Sequence, residues 1–361
     1  MSQPKETLTR ERPARSYHSV DYHVAGEPFR VVIKGSPDIP GDTITAKRIV
    51  ARESASIDSY RRLACLEPRG HADMYGGFVY APDRPDSDLS VLFWHTEGYP
   101  PSCAHGTMAM GVWAVESGLV DSDSDGVTTV TMDVPAGRTV AHVYQNGGRV
   151  TGVRLQPMVA YPVELDVMVR TSRGEVPVDL AFGGAVFASV SAKSLGLEVV
   201  PEQYRELIAI GREIRRRLND KDLTPYPEDP RLTGVFGVLI YDDLGDTESG
   251  VHERNINVFN DGWVDRSPCA PGTSTRLALL TASGRLKPGA ELLHESIVGT
   301  RYRAWGHPAD SEIPDALIVE IDGMVYRTGE HFLTLDANDP LASGFLLRSG
   351  PTGSAVETRR L

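Results

Sequence analysis

One five-residue pattern occurs twice in this chain, and it limits the fold more than any other feature. Residues 100–118 read PPSCAHGTMAMGVWAVESG, and residues 268–284 read PCAPGTSTRLALLTASG. In each, Cys-Ala-x-Gly-Thr opens a run of little charge. Ser-Gly then follows at offsets of fourteen and fifteen from the cysteine, as Ser117-Gly118 and Ser283-Gly284. Cys103 and Cys269 stand 166 residues apart, an interval the size of a domain.

The pattern predicts two copies of one unit. The stretches 106–117 and 273–283 carry helical periodicity with few charges, so most of each helix circumference must be buried. Helices are also expected over 46–64 and 201–219. Short β-branched runs surround them, at 29–33, 90–94, 127–134, 176–182, 235–241, 255–259 and 316–321, punctuated by Gly, Pro, Asp and Asn. The expected fold is α+β, with two pseudo-symmetric domains. Each would be a strand-rich, barrel-like sheet around a central helix. Residues 1–16 read as a disordered lead-in. The first domain is expected over 17–160 plus 331–361 and carries Cys103; the second spans 161–330 and carries Cys269.

Composition narrows the function. The chain has 361 residues, 40% apolar and 24% charged, as a globular protein does. Its formal net charge of -12 opposes binding to nucleic acid or an anionic membrane. The first residues lack the apolar core of a secretory signal, and no apolar run is long enough to span a bilayer. Three cysteines, Cys65, Cys103 and Cys269, suit a reducing cytoplasm. No Gly-x-Gly-x-x-Gly, P-loop or His-Glu-x-x-His motif is present, so no nucleotide cofactor and no metal are expected.

A cysteine just before a helix meets unpaired N–H groups and about half a positive charge. Its thiol pKa is expected to fall from about 8.5 toward neutrality. The same N–H groups form an anion site. The small residues Ala104, Gly106, Ala270 and Gly272 would let a ligand carboxylate approach the backbone. With two such helix ends facing each other, one cysteine could remove an α-proton while the other returns one from the opposite side. Donors converging on the carboxylate would stabilise the charge that develops. Cys65, within RRLACLEP, has no such setting and reads as a buried hydrophobe.

These motifs resemble the proline racemase family, and the resemblance covers nearly the whole chain. SCAHGTMA (102–109) and DRSPCAPGTSTRLALL (265–280) are similar to the family's two cysteine motifs. VDYHVAGEPFRVV (20–32), EPRGHADMYGGFVY (67–80), FGGAVFASVSAKSLGL (182–197) and DPLASGFLL (339–347) also fit. The resemblance implies a diaminopimelate-epimerase-like fold, a homodimer, and cofactor-independent racemisation, 2-epimerisation or dehydration of proline-like imino acids. It implies that Cys103 and Cys269 are the acid/base pair. It places His105 and Asp265 around the substrate's ring nitrogen and Phe259 and Tyr75 against its ring. Thr273 is also expected among the substrate-binding residues.

Other readings stand beside these. His105 could be a capping or core histidine, and Asp265 could pair with Arg266 or Arg276. His23, Gly26 and Glu27 read as structural. The chain departs from the family pattern by carrying Ala104 and Ala270 where glycine is usual, and Pro271 has no N–H to offer a carboxylate. The family's dehydratase branch typically has Thr at the second cysteine, which this chain keeps. Racemase or 2-epimerase is the first reading. A trans-3-hydroxyproline dehydratase, a non-catalytic imino-acid binder and a dithiol redox protein are the alternatives.

Overall fold

The computed structural model describes residues 15–220, 234–260, 262–336, 338–348 and 357–358. Residues 1–14 of the expected lead-in lie outside this set, while Arg15 and Ser16 already belong to the first strand.

The first half runs β1 (Arg15–Val24), β2 (Glu27–Lys34), α1 (Ile44–Glu53), α2 (Ala55–Cys65), β3 (Tyr75–Tyr80), β4 (Leu89–His95), α3 (Ala104–Glu116), β5 (Gly126–Val134), β6 (Gly137–Asn146) and β7 (Arg149–Thr171). The second half repeats the order: β8 (Gly174–Phe182), β9 (Val186–Ser191), α4 (Tyr204–Asn219), β10 (Gly237–Asp246), β11 (Gly250–Phe259), β12 (Trp263–Asp265), α5 (Ala270–Ala282), β13 (Glu291–Ser296), β14 (Arg301–Pro308), β15 (Leu317–Gly323) and β16 (Val325–Leu335). The pairing senses match as well. β2–β3 and β4–β5 are parallel, and so are β9–β10 and β11–β13. The protein is thus an α+β fold of two pseudo-symmetric, strand-rich halves, each curved around a buried helix.

Two long strands join the halves. β7 pairs with β6 and β15 up to Ala160, and with β8 from Tyr161 onward. That pairing closes β7 through β15 into a ring around α5. β15 continues through Met324 into β16, which pairs with β1 along its length. The return to the first half, expected near His331, therefore begins at Val325 opposite Val24. The sequence hides this because β16 is mostly exposed and lacks a clean alternation of apolar residues.

The helix of 46–64 proves to be two. Ser54 is extended, ends α1 with an N–H to the Val50 carbonyl, and caps α2 by accepting the Ile57 N–H. The repeat's Ser-Gly pairs stop α3 and α5. Gly118 and Gly284 adopt left-handed φ values of 70° and 72°, and their N–H groups reach back to Val115 and Thr281.

Met108, Ala109, Met110, Val112 and Ala114 of α3 are at most 1% exposed. Burying a Met- or Val-sized side chain contributes roughly 1.5–3 kcal/mol, so α3 anchors the first core and holds its own N-terminus in place. Leu277, Ala278 and Leu280 do the same for α5 within one continuous core that also includes the α3 residues. Among the described residues no helix is long and apolar enough to cross a membrane.

Candidate active site

Helices α3 and α5 touch where the halves meet, both cysteines occupy the N-cap position, and the Tyr75 phenol lies within reach of both sulfurs. Their backbones differ. Cys103 is extended at φ -154°, and its Sγ accepts the Gly106 N–H at 3.3 Å. Cys269 sits at φ 65°, in the left-handed region that costs a side-chain-bearing residue roughly 1–2 kcal/mol. A chain of hydrogen bonds holds it there. The Ser267 N–H and hydroxyl donate to Asp265 at 2.8 and 2.7 Å, and the Cys269 N–H donates to the Ser267 oxygen at 3.1 Å.

Gly106 and Gly272 are each the third residue of their helix. A Cβ on Gly106 would lie 2.6 Å from the Phe29 ring and 2.8 Å from Phe93; one on Gly272 would lie 2.6 Å from Leu239. Both glycines are therefore required by close packing beneath the cysteines. Ala104 and Ala270 form the first turns beside them.

His105 follows Cys103 with a ring nitrogen 3.5 Å from its Sγ. The Tyr75 ring meets His105 edge-on at 4.9 Å and Trp263 at 6.2 Å, and Trp263 contacts Phe259 at 5.7 Å. The predicted residues Cys103, His105, Tyr75, Phe259, Asp265 and Cys269 thus share one aromatic-walled region between the halves. Thr273 does not join them. It is fully buried, its N–H bonds the Cys269 carbonyl, and its hydroxyl bonds His294 at 2.8 Å. Its side chain anchors α5 from below.

Asp265 pairs with neither arginine, so that alternative falls. Arg266 binds Asp73 at 2.7 Å, and Arg276 forms a buried pair with Glu253 at 2.7 Å. Glu27, read as structural, is 1% exposed and accepts the Arg266 N–H at 2.8 Å across the halves. Burial and then Asp265 raise the Glu27 carboxyl, and when ionised it, like Asp265, pushes both thiols up. Trp263, His95, Glu27 and Asn257 are site neighbours the sequence did not reveal. Only their strand registers bring them here.

Electrostatics overturn one expectation. Burial pushes both cysteine thiols up, not down, and the Asp265 and Glu27 carboxyls push the same way. The Gly106 and Gly272 N–H groups act in the opposite sense without prevailing. Both are therefore held as neutral thiols. Burial raises Asp265 to about 6 and lowers His105 to about 3, so the imidazole is neutral. The Tyr75 phenol is raised by burial and then by Cys103, with Cys269 also contributing, so it lies within the field of both sulfurs.

The proline racemase family model matches residues 19–346. This chain belongs to the proline racemase family. Within that family it is 38% identical over 334 residues to a trans-3-hydroxy-L-proline dehydratase of Colwellia psychrerythraea, covering 92% of each chain. It is also 38% identical to a 3-hydroxyproline 2-epimerase of Burkholderia multivorans, covering 93% of this chain and 99% of the relative. The crystal structure of a hydroxyproline epimerase from Agrobacterium vitis with bound trans-4-hydroxy-L-proline superimposes with a TM-score of 0.80 at 30% identity, covering 93% and 96% of the two chains. The fold of this proline racemase family member is therefore that of a hydroxyproline epimerase.

Proposed function

We propose that this chain is a hydroxyproline 2-epimerase, acting by proton transfer between Cα and two cysteines. One observation carries the reading: Cys103 and Cys269 cap equivalent helices and share the half-buried partners Tyr75 and Asp265 and the buried Glu27. The substrate's carboxylate would rest on the first-turn N–H groups of α3 and α5, with Pro271 contributing none. Its cationic ring nitrogen would meet Asp265 and the neutral imidazole of His105, and its ring would lie between Tyr75 and Phe259. A bound cation beside Asp265 offsets the negative field that holds both thiols protonated, so the substrate itself favours a thiolate.

One thiolate then takes the Cα proton. The electron pair moves into the carboxylate, where the N–H donors stabilise it. The opposite thiol returns a proton to the other face. The enzyme ends with thiol and thiolate exchanged, and the substrate is inverted at C2.

A second reading is favoured by the dehydratase relative at equal identity. There, one cysteine removes the α-proton of a 3-hydroxyproline and the 3-hydroxyl leaves as water after protonation. The enamine formed tautomerises to a cyclic imine.

Incubation with proline, trans-4-hydroxy-L-proline and trans-3-hydroxy-L-proline in D2O separates these. Deuterium at Cα with a change in optical rotation supports epimerisation. An imine with loss of water from the 3-hydroxy substrate supports the second reading. Absence of exchange with all three substrates would overturn the proposal.

A further inference from the structure

The floor beneath the two cysteines differs between the halves. In β3–β4, Gly77 pairs with Phe93; in the equivalent β10–β11 ladder, Leu239 pairs with Asn257. An aromatic ring, Phe93, thus underlies the first turn after Cys103, whereas an amide, Asn257, underlies Cys269. Below Cys103 the neighbours are Phe29 and Phe93. Below Cys269 they are Phe187, Leu239 and Asn257.

Asn257 is 1% exposed, and its Nδ2 donates to the Cys269 Sγ at 3.2 Å. Its Oδ1 is buried without a hydrogen-bond partner among the described residues. Space for the amide comes from Gly237, where a Cβ would lie 2.6 Å from that oxygen. A buried amide with an unpaired oxygen is a cost that Phe, as in the first half, would avoid. A neutral thiol is a weak acceptor and offers little in return. A thiolate offers a charge-assisted bond.

Cys269 has a particular need for such a donor. Asp265, two bonds of the Ser267 chain away, faces it from β12, and the Glu27 carboxyl, itself raised by burial and by Asp265, approaches from β2. The Arg266 guanidinium, next in sequence to Asp265, is engaged by Asp73. Cys103 has the Gly106 N–H and the adjacent His105 ring on its sulfur, but no side-chain amide. We propose that Asn257 is a catalytic residue whose side-chain N–H stabilises the Cys269 sulfur when it ionises to a thiolate beside Asp265, a support that Cys103 does not share. The proposal rests on the two-cysteine reading for its consequence in turnover, but the effect on Cys269 is open to direct measurement without it.

The test uses the full chain carrying Asn257→Leu, which keeps the branched shape but removes the donor, and Asn257→Ser, which keeps a smaller donor. Alkylation by iodoacetamide is followed separately at the Cys103 and Cys269 peptides from pH 6 to 10. With Asn257→Leu, Cys269 is expected to react about tenfold more slowly at neutral pH, its profile moved to higher pH, while Cys103 stays within about twofold. Asn257→Ser is expected to recover part of the loss. Wash-in of deuterium should fall about tenfold for the enantiomer that Cys269→Ser abolishes, and little for the other. Equal slowing at both cysteines would mark a packing defect and overturn the proposal, as would an unchanged Cys269 profile. If no imino acid exchanges its α-proton in the parent protein, the proposed function fails, and the alkylation profiles still decide the role of Asn257.

Discussion

Leu155 and Ile321 are direct partners across β7 and β15, and they lie 166 residues apart, the separation of Cys103 and Cys269. A residue can pair with its own equivalent only on the symmetry axis. The pseudo-two-fold therefore passes between these two side chains, and the cysteines stand on either side of it. Each long strand finishes one half and starts the other, so the site lies between halves that share their backbone. Polar contacts that bridge the halves around it include Glu27 to the Arg266 N–H, Asp73 to the Arg266 guanidinium, Thr300 to the Ala25 carbonyl, and Asn260 to Glu97.

The cysteines should fail on different faces. Cys103→Ser and Cys269→Ser are each expected to lower inversion by about 10²–10⁴-fold, the usual scale for losing a general acid or base. Each should still wash deuterium into one enantiomer, and the two variants should do so from opposite enantiomers. Proton NMR in D2O with resolved enantiomers checks this. Wild-type racemisation by either variant, or exchange of the same enantiomer by both, contradicts the paired mechanism.

Asp265 should set an acid limb. Burial raises its carboxyl to about 6, so binding of a cationic substrate weakens as pH falls through that value. The expected kcat/KM declines about tenfold per pH unit below pH 6. The same shift acts on stability. Between about 4, the ordinary aspartate value, and 6, the folded state holds a proton the unfolded chain has lost. Stability from this group therefore falls as pH rises through that window. Urea melts of Asp265→Asn should show a flatter profile there. An unchanged slope would place the titration elsewhere.

His105 should act in the opposite sense. It is held neutral by burial down to about 3, whereas an unfolded histidine charges near 6.5. Its contribution to stability is complete above the unfolded value and is lost as pH falls from there toward 3. His105→Gln is expected to lose less stability than the parent on acidification from pH 7 to 4, read by thermal melts in matched buffers.

Gly106→Ala and Gly272→Ala should both destabilise, although alanine is the better helix former. The new methyl would press on Phe29 and Phe93, or on Leu239. Overpacking of this kind costs about 1–3 kcal/mol against a propensity gain of about 1 kcal/mol. Gly106→Ala should also impair turnover, because the added Cβ lies 3.0 Å from the Cys103 sulfur. Thermal melts with rate measurements test both effects; a stabilised variant with full activity would contradict the packing account.

The second core contains a charge pair where the first has Met110. Arg276 binds Glu253 at 2.7 Å, contacts Ser189 at 2.8 Å and lies 3.6 Å over the Tyr241 ring. Arg276→Met is expected to cost about 3–5 kcal/mol by leaving Glu253 buried and unpaired. Arg276→Met with Glu253→Gln should recover most of that loss in urea titrations. If the double variant is no better than the single, the cost comes from packing instead.

Sequence alone determined the repeat and the local structure it encodes. Cys-Ala-x-Gly-Thr with Ser-Gly at fixed offsets specifies a unit of cap, close-packed glycine, buried helix and left-handed stop. The cap and the stop depend on neighbours within fifteen residues, and the low charge of the helix announces its burial, so the unit is legible in one dimension, although what packs on it is not. The family motifs around Cys103 and Cys269 were legible for the same reason. Pairing over long distances set the features that the sequence could not decide. The crossing of β7 and β15, the return at Val325, and the arrival of Glu27, Trp263 and Asn257 beside the cysteines all depend on strand register, which no local pattern states. The thiol electrostatics belong to that class too. A helix end by itself lowers a cysteine pKa, but closing two halves over the site removes water and brings two carboxyls near, and that desolvation outweighs the helix end.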